Sequence, residues 1–168
     1  MLYTLKDETL IRIRPIRPID KPALVAAHAT LSAETVRRRY LTAKPRFSSG
    51  ELRYLTEVDG WDHVALVATP VDEPERIIAV GRFVRLAEDP EAAEFAIVVG
   101  DDWQGRGVGT RVAEALVARA IERGIARFTA TMLSDNTAVH QLIAHIATRL
   151  EYVEAGSGTQ TLVAQLAA

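Results

Sequence analysis

The chain has 168 residues, enough for one domain with its own hydrophobic core. Its 48% hydrophobic and 25% charged residues exclude wholesale disorder, collagen and a coiled-coil rod, and 20 Lys+Arg against 22 Asp+Glu leave a net charge of −2, no basic field for holding nucleic acid. There is no cysteine, hence no disulfide, thiolate metal site or cysteine nucleophile; no apolar run nears the roughly 20 residues that span a bilayer, and Met1 to Thr9 lacks a signal-peptide apolar region, so a soluble cytoplasmic protein without membrane attachment is expected.

Leu10 to Ile19 alternates Ile11 and Ile13 with Arg12 and Arg14, which predicts a strand with one buried face, ended by Pro15 and Pro18. Asp20 before Lys21-Pro22 is an expected N-cap for a helix over Ala23 to Leu31. Ser32-Ala33-Glu34-Thr35 opens a second short helix running through Arg37-Arg38-Arg39-Tyr40, and Ser48-Ser49-Gly50-Glu51 opens a third through about Val58. His63 to Thr69 and Arg76 to Leu86 are β-rich and predict an antiparallel hairpin. Glu94 to Val99 is apolar on both alternating faces, as expected of a strand in the middle of a sheet covered by helices.

Gly107 to Arg123 shows a helical apolar stripe through Val112, Ala113, Leu116, Val117 and Ala120, with Gly124 as its C-terminal stop. Arg127 to Leu133 predicts a strand and Asn136 to Leu150 a second long helix, with Val139, Leu142, Ile143, Ile146 and Leu150 on one face. Glu151 to Ala155 and Thr159 to Leu166 predict a closing hairpin around Gly156-Ser157-Gly158. This order implies an α/β fold, a mixed sheet with helices on both faces.

The segment Val98 to Arg111, VVGDDWQGRGVGTR, carries the chemistry. A buried strand enters a glycine-rich turn and then a helix whose first N–H groups have no intrahelical partner and sit at the positive end of the helix dipole. Gly105, Gly107 and Gly109 let an anion approach those groups, and Arg106 and Arg111 add charge nearby, so the segment reads as a cradle for a phosphate or pyrophosphate. No Gly-Lys-Ser/Thr follows, which argues against a Walker A loop; the third glycine falls one residue early for a dinucleotide fingerprint.

Gln104-Gly105-Arg106-Gly107-Val108-Gly109 resembles the Gln/Arg-x-x-Gly-x-Gly/Ala hallmark of the GNAT superfamily of acyl-CoA-dependent N-acyltransferases, and the order of elements over nearly the whole chain is similar to that family's. The resemblance implies one GNAT domain over residues 1–168, with a mostly antiparallel twisted sheet of six to seven strands. It implies acetyl-CoA as co-substrate, no metal, and an acetyl group passed from the thioester directly to a primary amine, either a protein lysine or a small amine. Ile97, Val98 and Val99 would pair through their backbones with the pantetheine arm, and Gln104, Gly105, Arg106, Gly107, Val108, Gly109 and Thr110 would hold the pyrophosphate. Asn136 is similar to the family asparagine that contacts pantetheine and is equally a helix N-cap. Many relatives protonate the leaving thiolate with a Tyr about seven residues later, but here position 143 is Ile143, while Tyr152 lies past the expected helix.

A protonated amine is no nucleophile, so a base is required. Glu94, entering the central strand where partial burial would raise its pKa, is the candidate, with Glu91 next. The four histidines show no metal-ligand spacing; His140 and His145 are about 140° apart on a helix. Arg37-Arg38-Arg39-Tyr40 is either a solvated face or a lip over the acceptor. The opening Ile11 to Pro18, the Leu31 to Thr35 helix start and Glu94 to Val99 are similar to bacterial protein-lysine acetyltransferases of this superfamily, and the chain resembles their catalytic domain standing alone. A catalytically inactive acyl-CoA sensor is the alternative, motivated by the missing Tyr. Exposed strand edges could pair two chains into a homodimer.

Overall fold

The computed structural model describes Met1–Gly156 and Gly158–Leu166; of the turn expected at Gly156-Ser157-Gly158, Ser157 lies outside the described residues. The strands are β1 (Leu2–Thr4), β2 (Leu10–Pro15), β3 (His63–Pro70), β4 (Ala79–Arg85), β5 (Ala92–Val99), β6 (Arg127–Leu133), β7 (Ala147–Gly156) and β8 (Thr159–Leu166). The helices are α1 (Lys21–Ala29), α2 (Ala33–Tyr40), α3 (Ser49–Thr56), α4 (Val108–Ile121) and α5 (Thr137–Ile146). The strands form one eight-stranded sheet in the order β1-β2-β3-β4-β5-β6-β8-β7, antiparallel throughout except for the β5–β6 pair. The expected mixed sheet is present, with one strand more than the six to seven foreseen; β1 is the addition, too short to carry a periodic signal.

Register decides which side chains face which helices, because residues opposite each other in a ladder share a face. Gly81 opposite Ile97 and Phe83 opposite Phe95 face α4, where Val112 and Leu116 are fully buried. Val80 opposite Val98, Arg82 opposite Ala96 and Val84 opposite Glu94 face the other way, toward Leu24 of α1 and Leu55 of α3. A Cβ on Gly81 would stand 2.6 Å from Val112 Cγ1 and 2.8 Å from Leu116 Cδ1, so only glycine lets α4 seat this closely on β4. Phe83, Phe95 and Phe128 stack beneath the β5–β6 junction with centroids 5.7 and 5.1 Å apart; such buried side chains each contribute about 1.5–3 kcal/mol.

Two local expectations are corrected. The Asp20 side chain does not cap α1; its carboxylate accepts from Arg14 at 2.7 and 2.9 Å and from the Arg17 N–H at 2.7 Å. Burial disfavours its charge, yet these donors hold its pKa below the ordinary value. The last helix ends at Ile146 rather than Leu150: Ala147 turns to extended φ −101°, ψ 141°, and Leu150 pairs opposite Ala164 of β8. Ser32 and Ser48 do cap α2 and α3, and Glu51 completes a capping box.

Candidate active site

β5 and β6 are joined only where Ala92, Ala93 and Glu94 face Arg127, Phe128 and Thr129. Past that point β5 keeps its ladder to β4 as far as Val99 opposite Ala79, while β6 keeps its ladder to β8 as far as Leu133 opposite Thr159. The strands diverge, and among the described residues the β6-facing edge of Phe95–Val99 has no partner strand. An open edge inside a sheet has backbone donors and acceptors ready for a ligand that mimics a strand. A cavity of about 650 Å³ opens there, its walls including Ile97, Val98 and Val99 as expected.

At the end of β5 the chain turns through Asp101–Trp103, and the Gln104 N–H bonds to the Asp101 carbonyl at 3.3 Å. Helical bonding resumes when the Arg111 N–H reaches the Gly107 carbonyl at 3.1 Å; among the described residues, the N–H groups from Gly105 to Thr110 have no acceptor. Gly105 at φ +71° and Gly107 at φ +90° adopt left-handed backbone that side chains disfavour, and a Cβ on either would project into open space. Gln104 donates to the Val99 carbonyl at 3.1 Å and to Thr35 Oγ1 at 3.3 Å, tying the loop to β5 and to α2. Val108 is fully buried and anchors the helix start, while Gly109 and Thr110 reach the cavity wall.

The arginines differ from expectation. Arg106 donates to Asp7 at 2.7 Å and Thr9 at 2.9 Å and lies over Trp103, 4.1 Å from the ring centroid. Arg111 pairs with Glu114 at 3.0 Å. Their charges are already answered, which leaves open N–H groups and the helix dipole as the cradle's source of attraction for an anion.

Sequence reasoning missed Asp101 as a tie between the loop and α2. Its carboxylate accepts from the Ser32 N–H at 2.9 Å, Ser32 Oγ at 2.7 Å and Thr35 Oγ1 at 2.7 Å, latching the first turn of α2 onto the loop. Burial works against its charge, but these donors still hold its pKa below the ordinary value. No local pattern signals a latch between residues so far apart in the chain.

On the face opposite α4, the cavity wall includes Glu94, Arg38, Arg39 and Tyr40. Glu94 is exposed rather than partly buried, because the divergence of β5 and β6 opens the sheet just beyond it. Glu91 is outside this wall and sits 3.6 Å from Arg127. The arginine run divides: Arg37 and Arg38 reach Glu34 at 3.3 and 2.7 Å on the solvent side, whereas Arg39 is half-buried against its neighbour Tyr40. Burial raises the Tyr40 pKa. His63, on the same face, is held down to about 4 by burial and then by the charge of Arg82, whose Nη1 is 3.1 Å from its Nε2.

Asn136 is 4% exposed, lines the cavity and accepts from the Val139 N–H at 3.4 Å, so it is a helix cap placed at the site. Ile143 is core, and Tyr152 is 61% exposed beside His140, away from the cavity wall. His28 lies 2.6 Å from the Lys44 carbonyl and His145 pairs with Glu114 at 3.0 Å. A second, more apolar cavity of about 680 Å³ lies against α1 and meets the first at Tyr40, Val98 and Trp103. No helix is long and apolar enough to cross a membrane among the described residues.

A model of the acetyltransferase (GNAT) family matches residues 33–146. Among curated proteins, the chain is similar to Acetyltransferase Pat of Mycolicibacterium smegmatis, with 37% identity over 131 residues. That match covers 78% of this chain and 39% of Pat, so the chain spans well under half of that relative's length. Among solved structures, the GNAT domain of S. lividans PAT superposes with a TM-score of 0.89 at 30% identity, over 99% of this chain and 96% of that one. The yncA structure from Salmonella typhimurium, solved with its cofactor acetyl-CoA, shares the fold with a TM-score of 0.68 at 18% identity, over 93% of this chain and 92% of that one.

Proposed function

This chain belongs to the GNAT acetyltransferase family, and from that premise we propose that it is a cytoplasmic N-acetyltransferase that moves an acetyl group from acetyl-CoA directly to a primary amine. A protein lysine is favoured over a small amine, because the S. lividans and M. smegmatis Pat likenesses run in the direction of the protein-lysine enzymes that the opening segments resemble. The observation that carries the reading is the continuity of the open β5 edge with the open N–H groups of Gly105–Thr110. One surface takes a strand-like amide arm and the next takes a diphosphate, in the order in which a coenzyme A molecule presents them.

The residues fit that group. Gly105 and Gly107 leave empty the space a Cβ would fill, and the helix dipole favours the anion. Ile97, Val98 and Val99 offer backbone groups to the amide arm, and Asn136 sits beside it on the opposite wall. Acetyl-CoA supplies an activated acyl group. The chain supplies orientation and a base: Glu94, exposed on the cavity wall, takes a proton from the acceptor ammonium, directly or through one water; the freed amine then attacks the thioester carbon, the C–S bond breaks as the thiolate leaves, and the amide nitrogen gives up its second proton to solvent. With Ile143 in the core, the thiolate takes its proton from solvent rather than from a tyrosine at that position. Residues 1–168 act together as one such domain in this reading.

Calorimetric titration with acetyl-CoA, CoA and ATP tests the proposal. Micromolar binding of acetyl-CoA with ATP silent, followed by label transfer to lysine peptides, is the expected result. A folded sample that binds no acetyl-CoA ends the transferase reading; one that binds it but acetylates neither peptides nor small amines fits the sensor alternative instead.

A further inference from the structure

The acceptor side of the cavity holds positive charge that the chain does not neutralise. Arg39 turns toward the sheet and, among the described residues, forms no ion pair; its guanidinium lies over the Tyr40 ring, 4.9 Å from the centroid. Arg82, on the same face, is 6% exposed and, among the described residues, meets neutral partners, His63 Nε2 at 3.1 Å and the Leu55 carbonyl at 3.3 Å. Burial lowers the pKa of both, and the charge of Arg39 adds to the effect at Arg82, which falls to about 10. Of the other charged groups nearby, Lys44 pairs with Glu51, and Arg37 and Arg38 share Glu34. Among the described residues that line the cavity, Glu94 is the one carboxylate, against Lys6, Arg38 and Arg39, and it is exposed to solvent.

A desolvated guanidinium is stable when an anion completes its planar fork. We propose that Arg39, backed by the field of Arg82, is a carboxylate-recognition subsite, and that the preferred acceptor is a lysine with an acidic side chain near it in the same polypeptide. The inference rests on the acetyltransferase reading and deepens it. Glu94 draws the acceptor ammonium, Arg39 grips the neighbouring carboxylate in a bidentate pair, and a basic neighbour is repelled by Arg39. The arrangement thus selects by attraction and by repulsion on one wall.

The test uses short peptides with one lysine and Asp, Gln or Arg two residues away. Binding is measured in the presence of CoA, which cannot react, and transfer is measured with acetyl-CoA, on the wild type, Arg39→Gln and Arg39→Lys. The Asp peptide should bind about tenfold more tightly than the Arg peptide. Arg39→Gln should bring the two within about twofold, and Arg39→Lys should keep part of the preference. Acetyl-CoA affinity should hold in both variants, which also reports that they fold. Equal binding of all peptides to the wild type, equal weakening of all peptides by Arg39→Gln, or binding of free amino acids in place of peptides would overturn the subsite. Arg39-dependent preference without any acetyl product would support the subsite and remove the transferase reading. Product formed without preference would do the reverse.

Discussion

The two walls of the cavity are made of different material. On one side, Phe95–Val99 and Gly105–Thr110 present main-chain groups, and side chains matter there mainly by being absent. On the other, Arg38, Arg39, Tyr40 and Glu94 present side chains gathered from α2 and β5. A main-chain wall suits a ligand that never changes, since amide and diphosphate groups need only spacing and dipoles. A side-chain wall can be altered residue by residue without disturbing the fold, and is where a choice among acceptors would be written.

Glu94→Gln should have the largest effect, lowering kcat about 10²–10⁴-fold while acetyl-CoA affinity stays put. Steady-state kinetics with a lysine peptide checks it, and an unchanged rate would move the base elsewhere on that wall. Gly107→Val attacks the main-chain wall. It forces a β-branched residue to φ +90° and fills open space in the cradle, so acetyl-CoA affinity should fall about 100-fold by titration, with a stability loss of about 1–2 kcal/mol in urea melts. If affinity survives, the N–H cradle is not the diphosphate site.

Asp101→Ala cuts the latch between the walls. Removing the acceptor of the Ser32 and Thr35 bonds should loosen α2 and raise the acceptor KM about tenfold, an effect of about 1.4 kcal/mol, with a smaller change in acetyl-CoA Kd. Equal changes in both constants would mean that the walls are one mechanical unit, and the comparison would lose its force.

The smallest effect concerns pH. His63 has its pKa lowered from 6.5 to about 4, first by burial and then by the charge of Arg82. Between those values the unfolded chain binds the proton and the folded chain does not, so stability falls as pH drops from 6.5 to 4 and this contribution is flat below. His63→Gln keeps an acceptor for Arg82 and removes the titration, so its urea midpoint should vary less across that window than the wild type's. Glu51, drawn to about 2 by Lys44 and Ser48, loses its contribution lower, as pH falls from 4.5 through about 2, which separates the two groups.

How much of this was readable in advance follows the same division. The strand, the glycines and the helix start from Val98 to Arg111 are contiguous, so spacing exposed the anion cradle, while the part expected of Ile97 to Val99 came from the family resemblance, and Asn136 was visible as a cap. Arg37-Arg38-Arg39 could not be resolved from the sequence, because which of three successive arginines turns inward depends on where α2 lies on the sheet. Asp20 had an N-cap's neighbours, but β2 brings Arg14 within reach and takes the carboxylate. Leu150 follows Ile146 by four residues and continued the helical period, while its place in β7 is set by β8, a strand that arrives later in the chain. The exposure of Glu94 follows from the divergence of β5 and β6, which no local pattern announces.

That divergence also governs how the sheet carries force. Among the described residues, direct strand pairing between the plate β1 to β5 and the plate β6-β8-β7 is limited to three rungs, supported by the stacked Phe83, Phe95 and Phe128, by the Ala126 and Arg127 N–H bonds to the Glu91 carbonyl and by the Arg127–Asp89 ion pair. Such a seam resists shear along the strands better than peeling from its open end, where the two plates act as levers on Glu94 and Thr129. A strand-like ligand bonded along β5 would close the open end of the notch, so the sheet would be stiffer with such a ligand in place than without it.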